Sequence, residues 1–186
     1  MPTKTSDFIT LFNTIWYRDF PVALGTFQIA KRADWTTHIA TTVRQVSGFM
    51  GLFSCFESGG RTDAEIKLAN GKVWAKLEWE WDEPREERVG ELDKLAAAAS
   101  GCELCVFIGY SRNDRLEENL EKIRAAWVGA GKPLVAILVT FDAEGNTRAF
   151  DRLQTYSFDG TGVSLVRHQP ALPWCVSGSR WEALEG

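Results

Sequence analysis

An Asn-Gly pair at positions 70 and 71 is the feature that most restricts how this chain folds. Apolar-rich runs flank the pair, and in that setting Asn-Gly is the strongest short-range signal for a β-hairpin, because a type I′ turn needs positive φ at both central residues. We therefore predict a two-residue turn at Asn70-Gly71. The strand pairs that follow from this turn are Leu68–Val73, Ile66–Ala75, Ala64–Leu77 and Asp63–Glu78.

Alternation along the two strands separates an apolar face from a charged face, because side chains on a strand point alternately to opposite sides. The apolar face, which we predict to be buried, carries Thr62, Ala64, Ile66, Leu68, Val73, Ala75, Leu77 and Trp79. The opposite face carries Arg61, Asp63, Glu65, Lys67, Trp74, Lys76, Glu78 and Glu80. Nearly all of the hairpin's charge is therefore predicted to lie on one face.

Three acids lie on this charged face, and their mutual repulsion calls for a nearby positive charge. Asp63 is predicted to lie opposite Glu78, with Glu80 two residues further on, and directly opposed like charges destabilise a sheet. Arg61 and Lys76 could compensate them as ion pairs on a solvated hairpin face. A divalent cation would compensate them better, because Mg²⁺ takes oxygen ligands from one or two carboxylates together with substrate phosphate.

Length and composition restrict the class of protein. With 186 residues the chain is long enough for one domain with a sizeable core. The net charge of −4 argues against coating nucleic acid through bulk charge, although a local basic cleft stays compatible with it. No apolar run is long enough to cross a membrane, and the N-terminus lacks the continuous apolar stretch of a signal peptide. A cytoplasmic protein with no membrane partner is expected.

Cys102 and Cys105 form a C-x-x-C pair within a strand-like run. Residues three apart on a strand point to opposite faces, and no second pair completes a zinc site. We therefore predict that these cysteines are reduced core thiols rather than a metal or redox site.

The periodicity of apolar residues gives the order of elements. Helices are predicted at 6–18, 35–46, 89–99 and 116–127, and strands at 52–57, in the hairpin, at 104–108 and at 134–141. The fold class is α/β or α+β, with a mixed central β-sheet flanked by helices in the order α-β-β-β-α-β-α-β. One domain is expected to cover 1–186, with its core at about 34–140, an N-terminal helix and a C-terminal extension of β segments and loops.

This order and these acids resemble the PD-(D/E)xK nuclease superfamily, whose fold is that of many restriction enzymes. The family places an Asp at the start of the second strand and (D/E)-x-K late in the third. Asp63 and the run Glu78-Trp79-Glu80 occupy those positions here. The proline of the family pattern is absent, and Glu80 stands in place of the usual lysine, as in the E-x-E variant of some restriction enzymes.

The missing lysine has two candidate replacements in this chain. Some members of the superfamily carry it on the following helix, where this chain has Lys94 in the run Glu-Leu-Asp-Lys. Lys76 is the other candidate, because it is predicted to share a strand face with Glu78. Either ammonium group would stabilise the charge that develops on the phosphate during cleavage.

The resemblance implies a Mg²⁺- or Mn²⁺-dependent nuclease that hydrolyses phosphodiester bonds, with DNA as the expected substrate and restriction, phage defence or repair as the setting. Asp63 and Glu78 would hold the metal, together with the carbonyl of Trp79, and Glu80 would orient the water or bind a second metal. The remaining implied residues are Glu57 as a further metal ligand, and Arg61 and Lys67 as phosphate contacts.

Two other functions stay open at this level. A catalytically inactive module of the same fold could bind nucleic acid or a protein partner, because the family lysine is absent from its usual place. A domain that only shares the order of elements could mediate interactions without binding metal. The oligomeric state is also open, and a homodimer is one alternative.

Overall fold

One mixed β-sheet of seven strands, hydrogen-bonded side by side in sequence order, organises the fold. The computed structural model describes residues 3–21, 31–58, 62–86, 90–144, 147–159 and 162–178. Its strands are β1 (Phe53–Ser58), β2 (Thr62–Lys67), β3 (Val73–Trp79), β4 (Leu104–Arg112), β5 (Leu134–Glu144), β6 (Thr147–Asp159) and β7 (Gly162–Pro170). The α-helices of these ranges are α1 (Thr3–Ile15), α2 (Arg32–Phe49), α3 (Glu91–Ala98) and α4 (Leu116–Trp127).

Strand direction follows from the connections. Strands β1, β2 and β3 form an antiparallel meander, and β5, β6 and β7 form a second one. Strand β4 lies parallel to both β3 and β5, and parallel neighbours need a crossover, which α3 and α4 supply. All but the last residue of β4 is buried, as a central parallel strand requires. The predicted mixed sheet flanked by helices is confirmed.

Helices cover both faces of the sheet. Helices α1 and α2 pack on one face through a cluster that includes Phe8, Trp16, Trp35 and Val43. Helices α3 and α4 pack on the other face, where Leu95, Ile123 and Trp127 meet the neighbouring strands. The four apolar residues of α2 spaced for one helix side, Trp35, Ile39, Val43 and Val46, are all buried, which accounts for the position of this helix.

The hairpin between β2 and β3 has the predicted register beyond its turn but a different turn. The N–H of Leu68 donates a hydrogen bond to the carbonyl oxygen of Lys72, so the loop contains the three residues 69–71. Within this loop only Gly71 has a positive φ, at 81°. Asn70 does not have the positive φ that a type I′ turn requires. The predicted two-residue turn and the Leu68–Val73 pair are therefore wrong, because Lys67 pairs with Val73.

A β-bulge restores the register further along this hairpin. Ile66 pairs with Ala75 while Lys67 pairs with Val73, so Trp74 is the extra residue on β3. The bulge turns Trp74 out of the alternation, and its ring packs 6.2 Å from that of Phe8 in α1. The prediction that Trp74 lies on the charged face is wrong for this reason, whereas the predicted pairs Ile66–Ala75 and Ala64–Leu77 are confirmed.

The C-terminal part is more regular than the sequence indicates. Instead of short segments, β6 and β7 run for 13 and 9 residues and extend the sheet to its second edge. In β7 the side chains of Val163, Leu165 and Val166 are exposed, so the strand lacks the apolar and polar alternation that a half-buried strand normally shows. None of the helices in the described ranges is long and apolar enough to cross a membrane.

Candidate carboxylate site

Asp63 and Glu78 meet where β2 begins and β3 approaches its end. The last observed pair, Ala64–Leu77, is followed by Asp63 on one strand and Glu78 on the other, and the side chains of these two acids interact. The carboxylate of Asp63 accepts a hydrogen bond from the backbone N–H of Trp79, at 2.8 Å from Oδ2. Because this N–H belongs to the residue after Glu78, the bond holds the Asp63 side chain beside the end of β3.

Glu78 is fully buried, and its two oxygens have different surroundings. Oε2 accepts a hydrogen bond from Nζ of Lys94 at 3.0 Å. Oε1 has no hydrogen-bond donor among the residues that the structure describes. A buried acceptor without a donor costs about 1–3 kcal/mol, so this oxygen marks a position where a proton or a cation would be bound.

Lys94 reaches Glu78 from α3, one turn into the helix. Its ammonium also contacts Oε2 of Glu91 at 2.8 Å, an i,i+3 pair on the same helix. Glu91 is a member of this group that the sequence prediction missed, although the spacing of Glu91 and Lys94 was a signal that could have identified it. The structure thus places the candidate lysine of the following helix, and not Lys76, in contact with Glu78.

Burial dominates the electrostatics of the two acids. Burial raises the pKa of Glu78 to about 8; the Lys94 ammonium opposes this shift, and the negative charge of Asp63 adds to it. Burial also raises the pKa of Asp63, although the hydrogen bond from Trp79 opposes it. A buried carboxyl next to a half-buried one therefore resists ionising together with it unless positive charge compensates the pair.

Lys94 itself stays charged. Partial burial lowers its pKa, but the hydrogen bonds to Glu91 and Glu78 outweigh that effect and raise it overall. The site therefore contains a permanent ammonium group on one side of Glu78 and an oxygen without a donor on the other. Carboxylate oxygens are ligands that Mg²⁺ prefers, so the donor set of Asp63 Oδ1 or Oδ2 and Glu78 Oε1 fits a hard divalent cation.

Lys76 and Lys67 lie elsewhere on the hairpin. Both contact the buried carboxylate of Glu65, Lys67 at 3.0 Å and Lys76 at 3.9 Å. Lys76 pairs with Glu65 across the strands, in the pair next to Ala64–Leu77. Lys76 and Lys67 therefore form ion pairs with Glu65, and neither of them contacts Glu78.

Glu80 is separated from the other two acids. Strand β3 ends at Trp79, and the Glu80 carboxylate turns back to accept the backbone N–H groups of Trp81 and Asp82 at 2.6 and 3.2 Å. The same oxygen accepts a bond from Arg32 of α2 at 2.9 Å. No group of three or more His, Cys, Asp or Glu side chains in the described ranges is arranged to hold a metal ion. The predicted set of Asp63, Glu78 and Glu80 as joint ligands is therefore not assembled.

Two predicted site residues remain, Arg61 and Glu57. Arg61 falls outside the described residues. Glu57 is exposed and lies in β1 between the pairs Phe56–Ala64 and Ser58–Thr62, which places it beside Asp63 in the register. Its φ of 50° is in the left-handed region, which is uncommon for a residue other than glycine and often marks a functional site. The structure thus brings Glu57 near the site by backbone register, and its carboxylate is exposed to solvent.

Trp81 packs next to the end of β3. The guanidinium of Arg148 lies 4.1 Å from the centroid of the Trp81 ring and donates a hydrogen bond to the carbonyl oxygen of Trp81 at 2.8 Å. The ring of Tyr110 packs against the same indole at 4.7 Å. These contacts make Trp81 part of the core edge, and Arg148 holds it there through a cation–π contact.

The fold of this chain shows low-level similarity to several solved structures. No family model and no curated protein matches the chain. The YaeQ protein from Pseudomonas syringae is 14% identical over 63% of this chain and 67% of its own, with a TM-score of 0.32. The YaeQ protein from Xanthomonas axonopodis pv. citri is 10% identical over 70% and 77%, with a TM-score of 0.33. A nitrilase-superfamily amidase from Nesterenkonia AN1 is 14% identical over 75% and 65%, with a TM-score of 0.40. Similarity at this level identifies neither a family nor a function.

Proposed function

We propose that this chain is a metal-dependent nuclease with a restriction-endonuclease-like core, acting on phosphodiester bonds with DNA as its expected substrate. One observation carries the proposal: Glu78 is buried with Oε2 on Lys94 and Oε1 without a donor, next to the Asp63 carboxyl. The Lys94 ammonium contacts Glu78 and Glu91 but not the half-buried Asp63. A cation held between Asp63 and Glu78 would compensate both of these acids.

The contacts of each residue suggest its role in metal binding or in stabilising the phosphate. Asp63 and Glu78 would hold Mg²⁺ or Mn²⁺, which supplies Lewis acidity toward a phosphate oxygen and lowers the pKa of a bound water. The N–H of Trp79 holds the Asp63 carboxylate in place through a hydrogen bond to Oδ2. Lys94 provides positive charge for the phosphate as negative charge develops, and Glu91 orients Lys94 through the 2.8 Å bond.

Glu80 has a supporting role in this proposal. Its carboxylate joins α2 to the segment after β3 through Arg32 and the N–H groups of Trp81 and Asp82. We therefore expect Glu80 to influence activity through the shape of the β3 end and not as a metal ligand. The Glu80 carboxylate is engaged by Arg32, Trp81 and Asp82, which leaves the predicted second-metal role of Glu80 without support in its contacts.

A second candidate function is an inactive module of the same fold that binds nucleic acid or protein. The observation that favours it is the 3.0 Å contact between Lys94 and Glu78, because an ammonium group can compensate a buried carboxylate without any metal. In that case the two acids and the lysine stabilise the fold and perform no chemistry.

Cleavage distinguishes the two functions. We expect the protein to hydrolyse at least one polymer in a panel of single-stranded, duplex, branched and modified DNA and of RNA, with Mn²⁺ or Mg²⁺ and not with EDTA. Asp63→Asn should remove nearly all of this activity, since it takes away one of the two anionic ligands. Glu103→Gln, on the exposed end before β4, serves as a matched acid-to-amide control and should leave the rate unchanged.

The opposite result is equally specific. Cleavage that persists in EDTA or in Asp63→Asn would show that the carboxylate pair is not the catalytic site. An absence of cleavage across the whole panel, with Mn²⁺ binding demonstrated by calorimetry, would favour the inactive module.

A further inference from the structure

A pair of buried thiols lies on the α3 and α4 side of the sheet, apart from the carboxylate site. Sγ of Cys102 and Sγ of Cys105 are 3.5 Å apart, and both cysteines are free. The sequence prediction that they point to opposite faces is wrong, because β4 begins only at Leu104. Cys102 precedes that strand, at the end of a 3₁₀ turn over Ala99–Gly101, and is released from the alternation.

The surroundings make the two thiols unequal. The hydrogen bond with Cys105 is the main cause that lowers the pKa of Cys102 to about 7, and burial opposes this shift. The positive charges of Lys76 and Lys132 and the backbone N–H of Lys76 also lower the pKa of Cys102. The bond with Cys102 and burial both raise the pKa of Cys105. The two sulfurs share a hydrogen bond at 3.5 Å, so a thiolate on one of them is stabilised by the proton of the other.

Lys76 is placed to support that thiolate. Its ammonium lies close to Gly101, where an added Cβ atom would come within 3.4 Å of Nζ. Lys76 also pairs with Cys105 between β3 and β4. A small residue before Cys102 therefore leaves room for a positive charge beside the thiol pair. Cys102 is 4% exposed, and its chain neighbours Gly101 and Glu103 are exposed, so the thiol pair lies close to the protein surface.

We propose that Cys102 and Cys105 form a peroxide-reactive dithiol that closes reversibly to a disulfide. The Cys102 thiolate attacks one oxygen of hydrogen peroxide, which breaks the O–O bond, gives the sulfenic acid and releases hydroxide that is protonated to water. Cys105 then loses its proton, and its sulfur displaces the hydroxyl group of the sulfenic acid as a second water. In total, two thiols and one peroxide give one disulfide and two waters.

The reverse step uses a dithiol reductant. A thiolate of the reductant attacks one sulfur of the Cys102–Cys105 disulfide, and its second thiol resolves the mixed disulfide. Direct contact between the two protein sulfurs favours ring closure over further oxidation of the sulfenic acid, because the resolving sulfur is already next to it. The reaction is independent of the nuclease activity proposed above.

Wild-type protein is sufficient for the test, since both cysteines fall in one tryptic peptide, residues 95–112. Folded protein is treated with hydrogen peroxide, quenched, unfolded, alkylated and digested. We expect this peptide to lose two hydrogen atoms and to carry no alkyl group, and to regain both alkylation sites when dithiothreitol is added before unfolding. Exposed Cys175, in another peptide, reports the peroxide dose.

Three variants sharpen the result. Cys105→Ser should leave a sulfenic acid on Cys102 that dimedone traps, and Cys102→Ser should leave Cys105 unreactive. Lys76→Met should slow disulfide formation about tenfold at neutral pH, because the thiolate fraction of Cys102 falls. If both cysteines in 95–112 stay alkylatable while Cys175 is oxidised, or if they pass directly to sulfinic acid, the proposal is wrong.

Discussion

Lys94→Met should lower the rate of metal-dependent cleavage about 100- to 1,000-fold, the loss typical when one group that stabilises transition-state charge is removed. The reason is position: Lys94 Nζ lies 3.0 Å from the buried Glu78 carboxylate, on the side opposite its oxygen without a donor. Single-turnover rates at saturating Mn²⁺ measure the effect on chemistry apart from substrate binding.

Lys76→Met is the matched control for this experiment. Lys76 is also a lysine close to Glu78 in sequence, but its ammonium contacts Glu65, at 3.9 Å. We expect this variant to cleave within about threefold of the wild-type rate, since a distant charge contributes little. Lys94→Arg, which keeps the charge, should retain part of the activity. Equal losses in both methionine variants, or none in Lys94→Met, would contradict the assignment of Lys94.

Glu78→Gln should make the metal-free protein more stable at alkaline pH, by up to about 5 kcal/mol, and leave its stability unchanged near pH 4. Burial raises the pKa of Glu78 from 4.5 to about 8, so the folded protein binds this proton more tightly than the unfolded chain. The corresponding stability is fully present below pH 4.5 and is lost as the pH rises through about 8. An amide cannot ionise and escapes this loss.

Urea unfolding at several pH values, with chelator present, measures this difference. Glu103→Gln is the control, because Glu103 is an exposed acid paired with Lys72 at 2.7 Å, and such a substitution changes stability by at most about 0.5 kcal/mol. Adding Mn²⁺ at alkaline pH should stabilise the wild type by mass action and leave Glu78→Gln unaffected. A destabilised Glu78→Gln at alkaline pH would instead assign Glu78 to a structural ion pair with Lys94.

Hairpin pairing shows how far sequence patterns reach. The pattern predicts Ala64–Leu77 correctly, because one face of each strand is apolar and a slip by one residue would expose it. It misses the bulge at Trp74, since nothing in local propensity distinguishes a two-residue turn from a three-residue loop compensated by one extra residue. Burial of a large indole against Phe8 decides between them, and that contact is between distant parts of the chain.

Side-chain partners are predicted less well than backbone pairs. Asp63 and Glu78 follow from strand register, whereas the choice between Lys76 and Lys94 depends on where α3 lands against β3. Glu80 departs from its predicted place because the strand ends one residue before it, and a helix from the opposite layer supplies Arg32. Cys102 departs because a 3₁₀ turn, too short to leave a periodic signal, precedes its strand.

An anomalous difference map from crystals of this protein soaked in Mn²⁺ tests the proposed cation site most directly. We expect a peak within coordination distance of both the Asp63 carboxylate and Oε1 of Glu78, with Lys94 Nζ at Oε2 of Glu78, and no such peak in Asp63→Asn crystals. Crystals with no peak between these two carboxylates, or with the ion bound at other residues while Lys94 and Glu78 keep their contact, would contradict it.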